Sequence, residues 1–444
     1  MVGACAVLSV SLLLVVVVLS VSAQTVLASP PSVLVVVETA TQQQTHRRLL
    51  GVLSGAGMEV TTVRVGEDMT LVEYAEAAYD NVLLFLPQEE DTGSSIDAEV
   101  VSQFVDLGNN LFIVAGPDSQ EFVQEVINEA GGADLEEGTL VSDHFNVHKP
   151  FDDGSHTTIV ASNFIDAPII TGENPAPVLF RGTGISLEKD NDLVLSVLRA
   201  SDTAYTYGEG RKKQLQTFLR GNRVTLVSAL QARNGARVTV VASPEMLSDS
   251  YFDARLEDGQ LAGNEAFSRN LLLWTFQQRG VLRAQHVHFA KTGEDRAPED
   301  GFRIMDDVTF QVQISEWVGN KWIPFQADDV QVEFKMLNPY ERLTMTPDQD
   351  GRYSVSFRAP DVYGSFQFIV DYNRLGYNHL VVKAPIPVRP FAHDEYDRFI
   401  FMAYPYYIGV GTLMVGFMVF AAAFLFVSNP DTILASLPSK VKKD

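Results

Sequence analysis

Two pairs of histidines in this 444-residue sequence have spacings that metal ligands use. His144 and His148 are four residues apart, which would bring them together on a helix, although Pro150 disfavours a helix there. His286 and His288 would share one face of a strand over 285–289. Neither pair has a third ligand in view, so a surface or capping role is the favoured interpretation. The sequence therefore predicts no metal site.

Three pairs of adjacent aspartates resemble the carboxylate pair of an acid–base site: Asp152-Asp153, Asp306-Asp307 and Asp328-Asp329. Adjacent residues of a strand point to opposite faces, which prevents the last two pairs from acting together. The first pair precedes Gly154 and predicts a turn. Because the chain has 56 acidic residues, no two of them can be singled out as the acid and base of a glycosidase. The sequence predicts no catalytic residue.

Two glycine clusters are candidates for a phosphate-binding loop. The cluster "SGAG" at 54–57 ends a predicted helix instead of following a strand, and "RGTG" at 181–184 lacks the third glycine of the dinucleotide fingerprint. A helix cap and a loop are the favoured interpretations. The P-loop, GxSxG and HExxH motifs do not occur in the sequence. No bound cofactor is predicted.

The pattern of apolar residues, which predicts the helices and strands that would position such residues, changes once along the chain. From Val33 to about Asn163, short apolar runs without alternation predict strands buried on both faces of a parallel sheet: "VLVVV", "NVLLFLP", "NLFIVAG" and "TTIVA". The segments between them predict helices: "THRRLLGVLSGAG", "LVEYAEAAYD", "DAEVVSQFVDLGN" and "DSQEFVQEVINEAGG". This pattern indicates an open α/β sheet of the flavodoxin or Rossmann type.

The following region continues the same domain less regularly. Two strand-like runs flank Asn234-Gly235, a dipeptide that favours a hairpin because both residues tolerate positive φ. The segment "NEAFSRNLLLWTFQQRG" then predicts an amphipathic helix that ends at Gly280. We expect the α/β domain to occupy residues 24–283.

A second domain is predicted after a charged linker at 284–298. Strict alternation then places Val308, Phe310, Val312 and Ile314 on one face of a strand, and similar patterns recur to about residue 370. An Asp350-Gly351 turn separates two of these strands. The pattern predicts an antiparallel β-sandwich over residues 299–392.

Apolar segments stand at both ends of the chain. Residues 1–23 have the features of a cleaved signal peptide, and their removal would take away Cys5, the single cysteine. Residues 404–427 predict one transmembrane helix, because twenty uncharged residues span roughly 30 Å. Two sets of residues have predicted roles in that helix: Tyr404, Tyr406 and Tyr407 at the membrane interface, and Gly409, Gly411 and Gly416 in helix packing.

The charges around the helix predict its orientation. The preceding segment "HDEYDR" is mostly acidic, and the tail at 428–444 ends in lysines, so the positive-inside rule places the tail in the cytosol. Lys440 and Lys442, fifth and third from the last residue, match a dilysine signal read by the coat machinery that returns membrane proteins to the endoplasmic reticulum. The net charge of −23 argues against a nucleic-acid partner.

Several strings, in order from about Val33 to the transmembrane segment, carry a family resemblance: "YDNVLLFLP", "LFRGTGI", "LVSALQARNGARV", "LSDSYF", "RGVLR", "GNKWIPF", "DVYGSFQFIVDYNRLGYNHL", "VRP" and "YDRFIFMAYPYY". Together they resemble the 48 kDa subunit family of the eukaryotic oligosaccharyltransferase complex. "DVYGSFQFIVDYNRLGY" is the most specific of them.

This resemblance implies an accessory, non-catalytic subunit of the complex that moves oligosaccharide from dolichyl diphosphate to asparagine in the endoplasmic reticulum. The implied partners are the many-pass catalytic subunit, the ribophorins and a small defender-against-cell-death subunit. The expected localisation is the endoplasmic reticulum membrane, as a single-pass type I protein with its bulk in the lumen. The alternatives are a membrane-anchored lumenal enzyme or binding protein that uses a pocket of the α/β domain, or a cargo receptor whose β-sandwich binds clients.

Overall fold

The computed structural model describes residues 30–426 except 68, 86–96, 120, 137, 188–190, 210–214, 295, 299 and 397–399. The predicted signal peptide and cytosolic tail lie outside the described residues. Two separate hydrophobic cores follow each other along the chain, one from Val33 to Phe276 and one from Leu282 to Val388. The described chain therefore has two domains before its C-terminal helix.

The first domain combines short helices with seventeen strands among the described residues. Its helices are α1 Ala40–Thr45, α2 Arg47–Gly55, α3 Ala98–Asp106, α4 Glu121–Gly131, α5 Pro168–Thr171, α6 Asp249–Phe252 and α7 Asn264–Thr275. Its strands are β1 Ser32–Val37, β2 Glu59–Arg64, β3 Val72–Glu73, β4 Glu76–Ala77, β5 Asn81–Phe85, β6 Asn110–Val114, β7 Ala133–Leu135, β8 Thr139–Ser142, β9 Ile159–Ala161, β10 Asn163–Phe164, β11 Val178–Phe180, β12 Ile185–Leu187, β13 Val194–Arg199, β14 Tyr205–Glu209, β15 Leu215–Arg220, β16 Thr225–Gln231 and β17 Arg237–Val241.

The main sheet of this domain has a parallel half and an antiparallel half. The strand order is β10-β13-β16-β17-β6-β5-β1-β2, and β17, β6, β5, β1 and β2 run parallel. Counted along the chain, the parallel strands have the order 2-1-3-4-5, which is the flavodoxin arrangement. The predicted α/β fold class is confirmed.

Local sequence explains why these elements form. Strands β5 and β6 are buried along their whole length, as expected for the centre of a sheet covered on both faces. Asp97 caps α3 by accepting a hydrogen bond from the backbone N–H of Glu99. The hairpin predicted at Asn234-Gly235 is confirmed, since it joins β16 to β17.

The helix predicted for "LVEYAEAAYD" is wrong. The segment forms the hairpin β3–β4, with positive φ at Tyr74 (51°) and Ala75 (64°). Leu71 is the fully buried apolar residue of the segment, whereas Tyr74 is 95% exposed. One buried position does not form an apolar helix face that could pack against the domain. High helix propensity alone is therefore not enough to stabilise a helix here.

Two further predictions need correction in this domain. The run "TTIVA" contributes β9, which pairs antiparallel with β11 in a separate two-stranded sheet and not with the parallel strands. Helix α7 ends at Thr275 and not at Gly280, because Gln277 takes positive φ (55°). The residues after Thr275 form a compact turn that carries the junction described below.

The second domain is a β-sandwich, as predicted. Its strands are β18 Val281–Lys291, β19 Phe302–Arg303, β20 Asp307–Val318, β21 Lys321–Pro324, β22 Gln331–Lys335, β23 Pro339–Thr344, β24 Thr346–Pro347, β25 Arg352–Arg358, β26 Gly364–Tyr372 and β27 Leu380–Arg389. One sheet has the order β18-β20-β25-β24 with β21 beside β20, and the other β19-β27-β26-β22-β23. The residues predicted to face inwards along β20 are fully buried: Val308, Phe310, Val312 and Ile314.

The linker predicted at 284–298 is wrong in its first half. Residues up to Lys291 belong to β18, which pairs antiparallel with β20. The alternation that marks a strand is interrupted there by a bulge at His286, which has positive φ (49°). Because the bulge interrupts the alternation of apolar and polar residues, the sequence pattern did not predict this strand.

The chain ends its described part in one long apolar helix, α8 Tyr404–Phe426. Within the 26 residues Phe401–Phe426, an 18-residue window has a mean hydropathy of 2.2, and this window is not buried against the rest of the chain. The 23 residues of α8 extend about 34 Å, which is enough to cross a bilayer core. The helix fits a single transmembrane span.

Candidate functional site at the domain junction

A fully buried arginine joins the two domains. Arg237, the first residue of β17, is 1% exposed, and its guanidinium donates only to backbone carbonyls among its described contacts. Nη1 donates to the carbonyl oxygens of Trp274 (2.6 Å) and Arg279 (2.8 Å). Nη2 donates to those of Gly280 (2.8 Å) and Gly376 (3.5 Å). One side chain of the α/β domain thus reaches a loop of the β-sandwich.

The charge of Arg237 is balanced by dipoles. Its guanidinium lies beyond the C-terminal end of α7, where the helix carbonyls present partial negative charge, and it stacks 4.7 Å from the Trp274 ring centroid. Burial lowers the pKa of the Arg237 guanidinium to about 9, which still leaves it protonated at neutral pH. The junction therefore holds a permanent positive charge.

The loop that receives Arg237 spans residues 373–379 between β26 and β27, and we call it the junction loop. The Gly376 carbonyl also accepts from Trp274 Nε1 (2.8 Å), and the Tyr377 carbonyl accepts from Gln231 Nε2 (2.6 Å). The backbone N–H of Asn378 donates to the Gly280 carbonyl at 3.1 Å. The α/β domain therefore binds the junction loop through backbone groups of the loop.

A close approach at Gly280 fixes the spacing of the two domains. Gly280 has positive φ (66°), and a Cβ there would lie 2.3 Å from the Gly376 carbonyl oxygen. Two outer contacts reinforce the junction: Trp317 Nε1 donates to Gln278 Oε1 (3.2 Å), and Asn320 Nδ2 donates to the Ala56 carbonyl (3.1 Å). Only glycine allows the backbones to come this close.

Three strings that carry the family resemblance meet at this junction. "LVSALQARNGARV" supplies Gln231 and Arg237, "RGVLR" supplies Gly280, and "DVYGSFQFIVDYNRLGY" supplies Gly376 and Tyr377. The sequence contains these strings but does not indicate that they are in contact. The available signal was an arginine inside an otherwise strand-like apolar run, a position where a charged residue needs buried partners.

The four histidines considered for metal binding are used separately. His144 is not on a helix, and its Nε2 lies 3.0 Å from the Tyr205 hydroxyl. His148 is fully buried, with Nε2 2.8 Å from the Arg255 carbonyl oxygen. His286 lies within the bulge of β18, and His288 is the first residue after it that pairs with β20. Within the described residues no group of three or more His, Cys, Asp or Glu side chains could hold a metal ion.

The aspartate pairs have structural contacts. Asp152 accepts from the backbone N–H groups of Gly154 (3.0 Å) and His156 (3.1 Å), which confirms the predicted turn. Asp329 accepts from the Tyr372 hydroxyl (3.1 Å) and from Arg374 Nε (2.6 Å). Each of these carboxylates holds a loop in place.

Asp306 and Asp307 lie on opposite faces, as predicted. Asp306 is 6% exposed and pairs with Lys291 Nζ and Arg303 Nη2, each at 3.1 Å, whereas Asp307 is exposed. Burial by itself would raise the pKa of Asp306, but hydrogen bonds and charges from Arg303 and Lys291 lower it overall. This ion cluster stabilises the loop before β20.

The glycine clusters have the expected local roles. "SGAG" contains the end of α2, and Gly57 takes positive φ (78°) just beyond it. In "RGTG", the loop between β11 and β12, a Cβ at Gly182 would lie 2.1 Å from the Ala242 carbonyl oxygen. The cluster therefore serves close backbone packing against the end of β17.

The crevice where open α/β sheets bind ligands lies beyond β1 and β5, where the strand order reverses. On the β1 side, Gln42 Nε2 donates to Glu38 Oε2 at 3.1 Å. The ring of His46, after α1, has Nδ1 2.9 Å from the Gln42 carbonyl oxygen and Nε2 3.0 Å from that of Pro244, which follows β17. Residues 86–96, beyond β5, lie outside the described residues. The described polar groups of the crevice bond to one another.

The predicted membrane residues lie on or beyond α8. Tyr404, Tyr406 and Tyr407 form its first turn, on the side where the chain enters the helix. Gly409 and Gly416 are seven residues apart and share one helix face, whereas Gly411 is turned about 160° away from Gly409. The expected packing face therefore contains two of the three glycines. The predicted retrieval residues Lys440 and Lys442 lie outside the described residues.

Together these features define a class of protein: a flavodoxin-like domain coupled through a buried junction to a β-sandwich, followed by one apolar helix that fits a membrane span. Residues 24–278 match the family model described as "OST48, N-terminal domain", and residues 288–428 match "OST48 middle domain". The chain belongs to this family, the 48 kDa subunits of dolichyl-diphosphooligosaccharide–protein glycosyltransferase. The resemblance seen in the sequence is confirmed.

Three proteins named as the 48 kDa subunit of this glycosyltransferase illustrate the similarity. The Caenorhabditis elegans protein is 36% identical over 423 residues, which cover 93% of this chain and 95% of the relative. The Arabidopsis thaliana protein is 37% identical over 405 residues, covering 89% and 92%, respectively. The Danio rerio protein is 36% identical over 410 residues, covering 90% and 92%. The similarity thus includes both domains and the apolar helix.

Proposed function

We propose that this chain is an accessory, non-catalytic subunit of the oligosaccharyltransferase complex, the enzyme that transfers oligosaccharide from dolichyl diphosphate to Asn-x-Ser/Thr in nascent chains. The observation that carries the proposal is similarity along 93% of the chain to a protein named as the 48 kDa subunit of this glycosyltransferase. The junction supports it, because the buried Arg237 holds two domains in a fixed arrangement. Rigid domains suit a subunit that organises others.

The proposed topology is type I, in the endoplasmic reticulum membrane. Residues 1–23 would be removed as a signal peptide, the two domains would face the lumen, and residues 428–444 would be cytosolic. The support is the apolar helix found in the described part of the chain, together with its acidic N-terminal flank and its lysine-bearing C-terminal flank. In that orientation Lys440 and Lys442 are available to the coat machinery as a retrieval signal.

The proposed partners are the many-pass catalytic subunit, the ribophorins and the small defender-against-cell-death subunit. Gly409 and Gly416 supply a helix face on which another membrane helix can approach closely. Gly411 lies on the other side and provides a matched control. Leucine at Gly409 and Gly416 should reduce recovery of the other membrane subunits, whereas leucine at Gly411 should not.

Two measurements test the subunit proposal. Purification of the tagged chain in mild detergent should recover a many-pass glycosyltransferase by mass spectrometry, and recovery of the chain alone would contradict it. Depletion of the chain should lower the occupancy of Asn-x-Ser/Thr sites on secreted proteins. Normal occupancy with accumulation of one metabolite would instead favour the alternative of a lumenal enzyme with a pocket in the α/β domain.

A further inference from the structure

One end of the β-sandwich exposes large apolar side chains that its own core does not cover. Leu337 is 84% exposed, Tyr363 67%, Tyr340 43% and Met305 38%. We call these four residues the apolar tip. Single exposed apolar residues are ordinary, but a group at one end of a domain is typical of an interaction surface.

Strand pairing places the apolar tip on adjoining loops. The turn with Leu337 follows β22, and Tyr363 immediately precedes β26, which runs antiparallel to β22. A Cβ on Gly364 would lie 2.8 Å from Met336 Sδ, so the turn and the loop are in contact. The opposite sheet contributes Met305, whose carbonyl accepts from Arg358 Nε at the end of β25 (3.0 Å).

The chain leaves the sandwich for the membrane at this same end. Val388, near the end of β27, pairs with Gly364 at the start of β26. Arg389 then binds Glu395 through two hydrogen bonds of 2.8 and 2.9 Å, which holds the next segment against the sandwich. The six residue-to-residue steps from Glu395 to Phe401 can extend at most about 20 Å. The apolar tip is therefore tethered close to the entrance of α8.

Several charges near the apolar tip are paired within the domain, whereas Glu341 and Asp361 beside it are exposed acids. Asp306 pairs with Lys291 and Arg303, and Glu395 pairs with Arg389. A strongly basic face, which would select anionic lipid, is not formed by these groups. Leucine, methionine and tyrosine are instead suited to the boundary between head groups and acyl chains, where tyrosine keeps its hydroxyl in the polar layer.

We propose that the apolar tip is a second membrane-contact site, which inserts into the interface of the leaflet from which α8 emerges. The proposal rests on the membrane span in the proposed function. It makes the β-sandwich lie on the bilayer instead of standing off on a flexible stalk. Because the chain would then contact the bilayer both through α8 and through the apolar tip, the tilt of both lumenal domains above the membrane would be fixed.

The test uses the full chain in nanodiscs of neutral phosphatidylcholine. Cys5 is the single cysteine of the sequence, so after Cys5→Ser a nitroxide can be attached to one introduced cysteine at a time. Leu337→Cys and Tyr363→Cys report the apolar tip. Gln349→Cys is the matched exposed control, because it precedes β25 at the far end of the sandwich, about 20 Å away. Collision rates of each label with oxygen and with a water-soluble nickel chelate are then measured.

A fourth label, at Met414→Cys in the middle of α8, separates this inference from the proposed span. We expect labels at 337 and 363 to collide severalfold more with oxygen, relative to nickel, than the label at 349, and the label at 414 to show the greatest depth. Water-like labels at 337 and 363 beside a lipid-like label at 414 would overturn the inference and leave the span intact. Labels that neither reagent reaches would indicate protein covering the apolar tip and would also overturn it. A water-like label at 414 would reject the span itself.

Discussion

Replacing Arg237 by methionine tests whether the junction couples the two domains. Methionine keeps an unbranched stem against Trp274 but removes every hydrogen bond of the guanidinium. Three of the four acceptor carbonyls retain another described donor: Gln277 N–H for Trp274, Asn378 N–H for Gly280, and Trp274 Nε1 for Gly376. The carbonyl of Arg279 keeps none among the described contacts.

The expected loss follows from this inventory. A hydrogen bond to a charged group contributes about 1.5–3 kcal/mol, and the orphaned Arg279 carbonyl carries that loss in full. The other three carbonyls lose one of two donors, which adds a smaller amount. We therefore expect Arg237→Met to lower the free energy of unfolding by about 2–4 kcal/mol, which is less than the sum of four independent bonds.

Chemical denaturation in detergent, followed by tryptophan fluorescence, measures this effect in both domains. Trp274 reports the α/β domain, whereas Trp317 and Trp322 report the sandwich. The variant should also weaken the coupling of the two transitions, because it removes the hydrogen bond to the Gly376 carbonyl, whereas the bonds of Trp274, Gln231 and Asn378 across the junction remain. Arg374→Met is the control on the junction loop, since its ion pair with Asp329 is exposed and contributes under about 1 kcal/mol. Equal shifts for the two variants would refute the role assigned to Arg237.

Three further outcomes are expected. Gly280→Ala should lower the free energy of unfolding by about 1–3 kcal/mol through overlap with a junction-loop carbonyl, and a change within 0.5 kcal/mol in denaturation would contradict the close approach. Asp306→Asn should destabilise the chain at neutral pH, and the difference from wild type should shrink as pH falls through the lowered pKa of Asp306; a difference constant from pH 7 to 3 in urea titrations would contradict this. Lys440→Ser with Lys442→Ser should let the unassembled chain reach the Golgi, which subcellular fractionation detects. Lys443→Ser removes one lysine outside the signal and should leave retrieval intact; equal retention of all variants would show that assembly alone holds the chain.

The sequence predicted the architecture where burial follows a simple period. Continuous apolar runs indicated β1, β5 and β6, because these strands are buried on both faces. Alternation indicated β20, because this strand is buried on one face. The pattern failed where a local irregularity intervened. A bulge at His286 concealed β18, and positive φ at Tyr74 and Ala75 turned a helix-prone segment into a hairpin.

The junction could not be predicted for a different reason. Its acceptors are backbone carbonyls, which every residue has, so the sequence carries no motif for them. The side-chain donors Arg237, Trp274 and Gln231 and the glycines that permit close approach are visible as residue types. Their separation along the chain also removes any spacing that a local pattern could detect. The family strings marked the right residues but gave no indication that they touch.

The distance along the chain between the two sides of the junction has a consequence for synthesis. Arg237 is 139 residues ahead of Gly376, and translation proceeds at about 5–20 residues per second. Roughly 7–28 seconds therefore pass between the synthesis of Arg237 and that of Gly376, its last acceptor. During that interval the Arg237 and Trp274 surface is open on the nascent chain, and it closes shortly before α8 is produced. The junction is therefore completed late in synthesis: the α/β domain is made first, the sandwich second and the apolar helix last.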